Sequence, residues 1–287
     1  MAADPRSAPD HADPADLVIQ LALAAGEKIM AVYDRPVESA QKADGSPVTV
    51  ADERAEAVIL EGLARAFPEI PVVAEEAVEA GQLPPGADRY FLVDPLDGTK
   101  EFLCRNGEFT VNIALIDQGV PVFGVVLAPA LGEIYWGGAI AGTSSGPIGA
   151  FCGRVEHGEV VGAAPITVRR APASGVAVLA SRSHCSPETE ALICKLPSAE
   201  RTSVGSSLKL CWLACGRADF YPRLSPTMQW DIAAGDAVLR AAGGKTLRYP
   251  ELCDLVYALP DKAAKADLLN PHFLAFGDET IPAMLNT

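Results

Sequence analysis

The 287-residue sequence predicts a layered α+β and α/β protein. Three observations carry that expectation: two amphipathic helical stretches near the start, a series of short apolar runs broken by turn residues after them, and a second half that alternates strand-like with helix-like segments. The first pattern suits a mainly antiparallel sheet covered by helices, the second a sheet with helices on its faces. A chain of this length buries a large core, as one big domain or two closely joined ones.

The opening MAADPRSAPDHADP is rich in Pro, Ala and Asp. It lacks the basic-then-apolar order of a signal peptide, so residues 1–14 are expected as a disordered tail. Asp13 is a good N-cap and Pro14 suits the first helical position. Leu17, Leu21, Ala24, Ala25, Ile29 and Val32 then make one apolar face. After the turn-forming Asp44-Gly45-Ser46-Pro47, Thr49 reads as an N-cap with Asp52 three residues on, opening a helix through Ala55, Val58, Ile59, Leu63 and Phe67 that Pro68 closes.

Strands are expected at Val72-Val73, Tyr90 to Val93, Thr110 to Ile116, Val120 to Leu127 (after a Gln118-Gly119 break) and Ile134 to Trp136. The Gly/Ser-rich stretch from Gly137 to Gly162 reads as a long hairpin or a domain seam. Beyond it, Val176 to Ala180, Phe220-Tyr221 and Phe273 to Phe276 read as strands. Pro187 to Lys195, Ser206 to Cys215 and Ile232 to Ala242 read as helices. The expected division is 15–150 and 151–287.

Hydrophobic residues make up 49% of the chain and the net charge is −14. So acidic a chain would repel a nucleic-acid backbone, which argues against a DNA or RNA polymer as partner. Small phosphorylated ligands stay open where bound cations reverse the local field. No apolar run is long enough to span a membrane. Seven scattered cysteines without a CxxC pair suggest reduced thiols and a cytoplasmic protein, with Cys211 and Cys215 read as small core residues.

The segment Phe91-Leu92-Val93-Asp94-Pro95-Leu96-Asp97-Gly98-Thr99 carries the chemistry. An apolar strand delivers Asp94 to the sheet edge, and Pro95 turns the chain there. The turn can bring Asp94, Asp97 and the Leu96 carbonyl toward one point. Gly98 lets backbone approach a ligand and Thr99 adds a hydroxyl. Hard oxygen donors of this kind suit Mg²⁺ or Mn²⁺; the same residues also make an ordinary strand-ending turn. Glu75-Glu76 ends another apolar run, Asp231 opens a helix after Trp230, and Asp52 lies in the first turn of the earlier one. Surface charge and helix capping explain each singly. Together they are acidic boundaries that, if convergent, require cations.

DPLDGT, the strand-ending Glu-Glu before it and WDIAAGDAVLRAAGG after it resemble the signature set of the inositol monophosphatase superfamily of lithium-sensitive, Mg²⁺-dependent phosphatases, over about Ala15 to Phe276. DPLDGTKEF, NGEFTVNIALI, DGSPVTVAD, SRSH at 181–184, GSSLKLC and YPR are similar to its CysQ-type 3′(2′),5′-bisphosphate nucleotidase branch. The resemblance implies an αβαβα sandwich of the sugar-phosphatase type. Its implied metal ligands are Glu75, Asp94, the Leu96 carbonyl, Asp97 and Asp231, holding two or three Mg²⁺.

By the same resemblance, Thr99 with Asp52, and Glu75 with them, activate the attacking water. Gly98, Thr99, His184, Ser206, Lys209, Arg223 and Asp231 contact a small nucleotide, adenosine 3′,5′-bisphosphate, whose 3′-phosphate is removed in sulfur assimilation. An inositol or sugar phosphate is the alternative substrate, and a non-catalytic nucleotide binder on the same fold a remote one. A monomer or homodimer is expected, cytoplasmic, with a peripheral place on the inner membrane left open. Two features depart from the family pattern: Ala74 where many relatives have glycine, and a long Pro250–Ala266 stretch that is either a surface insertion or a new edge to the pocket.

Overall fold

The computed structural model describes residues 13–33, 39–41, 47–140, 149–172, 174–180, 186–196 and 198–285. His184, the tail through residue 12 and the 42–46 part of the expected turn lie outside them. The helices are α1 (Pro14–Tyr33), α2 (Val50–Ala66), α3 (Glu75–Glu79), α4 (Thr99–Leu103), α5 (Pro187–Ile193), α6 (Leu208–Ala214), α7 (Gln229–Ala241) and α8 (Ile281–Met284). The first strands are β1 (Ser39–Gln41), β2 (Pro47–Thr49), β3 (Val72–Ala74), β4 (Arg89–Asp97), β5 (Thr110–Asp117), β6 (Val120–Ala128) and β7 (Glu133–Gly138). The rest are β8 (Ala150–Glu156), β9 (Glu159–Ile166), β10 (Ala177–Leu179), β11 (Glu200–Thr202), β12 (Phe220–Arg223), β13 (Lys245–Arg248) and β14 (Phe273–Phe276).

β3 to β9 form one sheet in sequence order, parallel only at β3–β4 and antiparallel elsewhere. A second sheet runs β11-β10-β12-β14-β13, and β1 and β2 pair separately. The larger sheet continues past residue 150 to Ile166. The Gly137–Gly162 stretch therefore holds strands of the first sheet, and the expected boundary at 150 cuts through it. β8 is mostly half-buried and β9 mostly exposed, so they lack the apolar runs that mark β4 to β6.

Alternation along β4 makes the layers. Phe91 and Val93 enter a core with Val18, Ile29, Ile59 and Leu63 of α1 and α2. Tyr90 and Leu92 enter the opposite core with residues of α6 and α7. That second core reaches Tyr221 and Phe273 of the five-stranded sheet, whose far side packs Val178, Phe220 and Phe276 against Leu192, Ile193 and Ile281 of α5 and α8. The order is αβαβα, as expected. Small residues let α7 lie on the sheet: a Cβ at Gly124 would stand 2.4 Å from the Ala234 carbonyl oxygen. The start of α1 follows its sequence signal, the Ala15 amide donating to the Asp13 carboxylate at 2.9 Å. By contrast, α6 and α7 start at Leu208 and Gln229 rather than Ser206 and Ile232, and the short α3 and α4 were not expected.

Pro250–Ala266 is neither a loose insertion nor a wall of the cavity described below. It is a strap across the back of α7, with Leu255, Tyr257 and Leu259 buried. The Tyr257 amide donates to the Gly119 carbonyl (3.0 Å) and the Ala87 amide to that of Leu259 (3.2 Å). Arg240 donates to the Leu255 carbonyl (2.9 Å) and Tyr257 Oη to Asp236 (3.0 Å). Just beyond it, Asn270 donates to the Met228 carbonyl at 2.6 Å and to Thr227 Oγ1 at 3.1 Å. Gln229 Nε2 donates to the Ala258 carbonyl of the strap at 3.2 Å, so the strap and Asn270 together hold the segment that leads into Asp231.

Candidate active site

The register of β4 on β5 passes from Asp94 opposite Asn112 to Asp97 opposite Thr110. Two residues of β4, Pro95 and Leu96, therefore face one of β5, which is a bulge. In a regular strand, positions three apart point to opposite faces; the extra residue returns Asp97 to the side of Asp94. Proline fits here because a bulge releases a ladder donor. The Leu96 amide donates to Asp94 Oδ1 at 3.0 Å, and the Leu96 side chain is buried in the α1–α2 core. Gly98 follows at φ +94° as the N-cap of α4, and Thr99 is that helix's first residue.

The other acids arrive on element ends. Asp52 comes from the first turn of α2 and is buried, Glu75 opens α3 where β3 stops, and Asp231 lies in the first turn of α7. Burial raises the Asp94 carboxyl well above the usual range, and the charges of Glu75, Asp97, Asp231 and Asp52 raise it further. Burial and then Asp97 do the same to Asp231, opposed by the Met228 amide. Asp97 is also raised by burial, with Lys209 and Ser207 opposing.

The five acids predicted from sequence thus share one electrostatic neighbourhood. They do not close on a single point: among the described residues no three His, Cys, Asp or Glu side chains form an ion-sized cluster. Each is held by a neighbour instead, Asp231 by the Met228 amide (2.8 Å) and Asp97 by the Ser207 hydroxyl (3.2 Å). An all-oxygen, multiply anionic donor set of this kind fits hard divalent cations.

Asp97, Asp231, Ser206, Lys209, Tyr221 and Arg223 line a cavity of about 430 Å³, with Lys209 near enough to lower the Asp97 carboxyl and Arg223 that of Asp231. Lys209 is 7% exposed. Its Nζ donates to the Ser206 carbonyl at 3.0 Å and lies 5.7 Å from the centre of the Tyr221 ring. Burial draws the Lys209 ammonium down to about 8; Asp97 pushes it back up and Arg223 adds to the fall. Arg223 is steadied by the carbonyls of Ser225 (3.2 Å) and Pro226 (3.1 Å). Lys100, Glu101, Cys104, Asn106 and Thr227 also line the cavity. Nothing in the sequence separated them from ordinary surface residues.

Two further residues were missed. Ser207 Oγ accepts from Asn112 Nδ2 at 2.9 Å and also contacts Asp97 Oδ2 and the Asp231 carbonyl. Glu108 holds the loop before α6 by accepting the Gly205 amide at 2.8 Å. Near the Glu-Glu pair, Glu56 accepts the Glu76 amide at 2.8 Å, and burial lifts its carboxyl to about 7. Ala74 costs the site nothing, for its φ of −123° and ψ of 145° are ordinary extended backbone. Cys211 is buried core, as expected.

The sequence pattern described as the inositol monophosphatase family matches residues 12–270. A 3′(2′),5′-bisphosphate nucleotidase CysQ of Salmonella typhimurium is 48% identical over 241 residues, spanning 81% of this chain and 92% of the relative. The Escherichia coli K12 protein of that description is 45% identical over 243 residues, spanning 82% and 93%. Among solved structures, CysQ from Bacteroides thetaiotaomicron superposes with TM-score 0.73 at 40% identity, covering 92% of this chain and 97% of that one. An inositol monophosphatase from Anabaena superposes with TM-score 0.67 at 27% identity, covering 95% and 93%. The family match runs through the α2 acid, the β4 bulge, the loop before α6 and the start of α7, so this chain belongs to the inositol monophosphatase family.

Proposed function

We propose that this chain is a Mg²⁺-dependent 3′(2′),5′-bisphosphate nucleotidase that removes the 3′-phosphate of adenosine 3′,5′-bisphosphate, giving AMP and phosphate, in sulfur assimilation and nucleotide recycling. It is a phosphoric monoester hydrolase, the activity for which its curated relatives at 45–48% identity are named. The observation that supports the substrate assignment is that one cavity is lined both by carboxylates, Asp97 and Asp231, and by cations, Lys209 and Arg223. A bisphosphate presents one phosphate to each.

Glu75, Asp94, Asp97, Asp231 and the Leu96 carbonyl are the residues that would hold Mg²⁺. When bound there, Mg²⁺ acidifies water and offsets charge on the transferred phosphoryl group. Thr99 and Asp52, with Glu75 near them, orient the attacking water, and the Asp52 carboxylate accepts its proton. The Gly98–Thr99 backbone faces the phosphate that is cut. Lys209 and Arg223 pair with the phosphate that is kept, the arginine fork gripping two of its oxygens. Ser206 holds the loop between the two groups, and His184 completes the nucleotide contacts.

Phosphate release from adenosine 3′,5′-bisphosphate, its 3′-phosphosulfate relative and inositol 1-phosphate, each with Mg²⁺ and with EDTA, tests this reading. Turnover is expected on the bisphosphate, abolished by EDTA and restored by Mg²⁺. Preference for inositol 1-phosphate would assign the chain to the other substrate class. Activity in EDTA would contradict the metal reading.

A further inference from the structure

A serine just before a helix is ordinarily explained as a cap. Ser207 precedes α6, yet its side chain makes no capping hydrogen bond. Its hydroxyl points into the protein, 3% exposed, where three separate elements meet on it. Asn112 of β5 donates to it at 2.9 Å, Asp97 Oδ2 of the β4 turn lies 3.2 Å away, and the Asp231 main-chain carbonyl of α7 is in close contact. We propose that Ser207, oriented by Asn112, is a positioning residue that holds Asp97 and the first turn of α7 at the spacing a divalent cation requires. This rests on the metal-dependent reading given above.

The direction of the hydrogen bonds supports the assignment. With Asn112 donating inward, the single Ser207 proton must go outward, toward Asp97 or Asp231. A hydroxyl bonded this way cannot turn aside without leaving a buried amide unpaired. Asn112 reaches it because alternation on β5 sends Ala114 and Ile116, and hence Asn112, into the core shared with α6 and α7. Asn112 Oδ1 and Thr110 Oγ1, two places apart on this strand and opposite Asp94 and Asp97, are buried with no hydrogen-bond partner. These oxygen atoms have no protein donor, which fits a neighbourhood completed by a cation and its waters.

Mn²⁺ titration followed by electron paramagnetic resonance of the free ion, without substrate, tests the proposal on wild type, Ser207→Ala, Asn112→Ala and the double variant. Kinetics of the bisphosphate at varied Mg²⁺ and melting in EDTA accompany it. Ser207→Ala is expected to weaken Mn²⁺ binding by about 10–100-fold, the usual effect of removing a residue that orients a metal ligand. The Mg²⁺ concentration for half-maximal rate should rise in parallel, with little change in the KM for the bisphosphate at saturating Mg²⁺. The double variant should lose no more than the worse single one, because both act on one hydrogen-bond chain. Unchanged Mn²⁺ affinity in Ser207→Ala with a lower melting temperature would make the serine merely structural and overturn the proposal. A wild type that binds no Mn²⁺ would overturn it together with the metal reading beneath it.

Discussion

Ser206 donates its hydroxyl to the Asp97 carbonyl at 2.9 Å, across 109 positions of the chain. It does so at φ +50°, a conformation uncommon outside glycine. The contact ties the acidic turn of the first sheet to the loop before α6, and the ammonium of Lys209 in that helix donates to the Ser206 carbonyl. Asp97 and Lys209 are thus joined through one residue.

Gly98 makes that join possible. A Cβ there would stand 2.2 Å from Ser206 Oγ, on a backbone already at φ +94°. Gly98→Ala should therefore lower stability by at least about 1 kcal/mol, the scale for alanine forced to positive φ. It should also cut kcat/KM by tenfold or more as the turn moves. Urea unfolding and phosphate release measure the two effects, and a variant with native values of both would remove the constraint from Gly98.

Asp236 is fully buried in α7, accepting from Arg240 Nε and Tyr257 Oη, both at 3.0 Å. Arg240 opposes the rise that burial imposes on this carboxyl. Asp236→Ala leaves the Arg240 guanidinium, among the described residues, only the Leu255 carbonyl and takes the acceptor from the Tyr257 hydroxyl. The expected loss is about 3 kcal/mol, the lower end for breaking a buried pair. A loss below about 1 kcal/mol in urea would mean that the strap holds by apolar burial alone.

A pH test away from the acidic centre uses Asp278. Its carboxylate accepts the Thr280 amide (2.9 Å), the Thr280 hydroxyl (2.8 Å) and the Ala171 amide (2.9 Å). The Thr280 amide first, then the Thr280 hydroxyl and the Ala171 amide, hold it below the ordinary aspartate value. A depressed acid stabilises the fold above its unfolded pKa and loses that contribution as pH falls through the folded one. Asp278→Ala should cost about 1 kcal/mol at pH 7, on the scale of a lost capping side chain, and the gap should shrink below about pH 4. Equal gaps at pH 7 and pH 3 would exclude ionisation as the source.

Much of this architecture was legible because its signals are local. Asp13-Pro14 marks the start of α1, and the apolar run of Phe273–Phe276 matches β14 residue for residue. DPLDGT was legible because an apolar strand runs into it and further acidic element ends accompany it, although its residues alone also make an ordinary turn. The roles of Ser207 and Asn112 were not, since one looks like a cap and the other is a single polar residue in an apolar strand. Their meaning comes only from the bulge, which no local pattern announces. The Tyr257 strap reads as an insertion or a pocket edge for the same reason: its partners, Ala87, Gly119 and Asp236, are distant in sequence. β11 and β13 are short and partly exposed, so neither carries an apolar run long enough to register.

The central claim is that one phosphate is cut at the acids while another is held by Lys209 and Arg223. Comparing kcat/KM of wild type, Lys209→Ala and Arg223→Ala on adenosine 3′,5′-bisphosphate and on 3′-AMP, which lacks the held phosphate, tests it most directly. Losing one charge-assisted contact costs roughly 1.5–3 kcal/mol, or about a ten- to hundredfold fall. That fall is expected on the bisphosphate and a much smaller one on 3′-AMP. Equal losses on both substrates would contradict it.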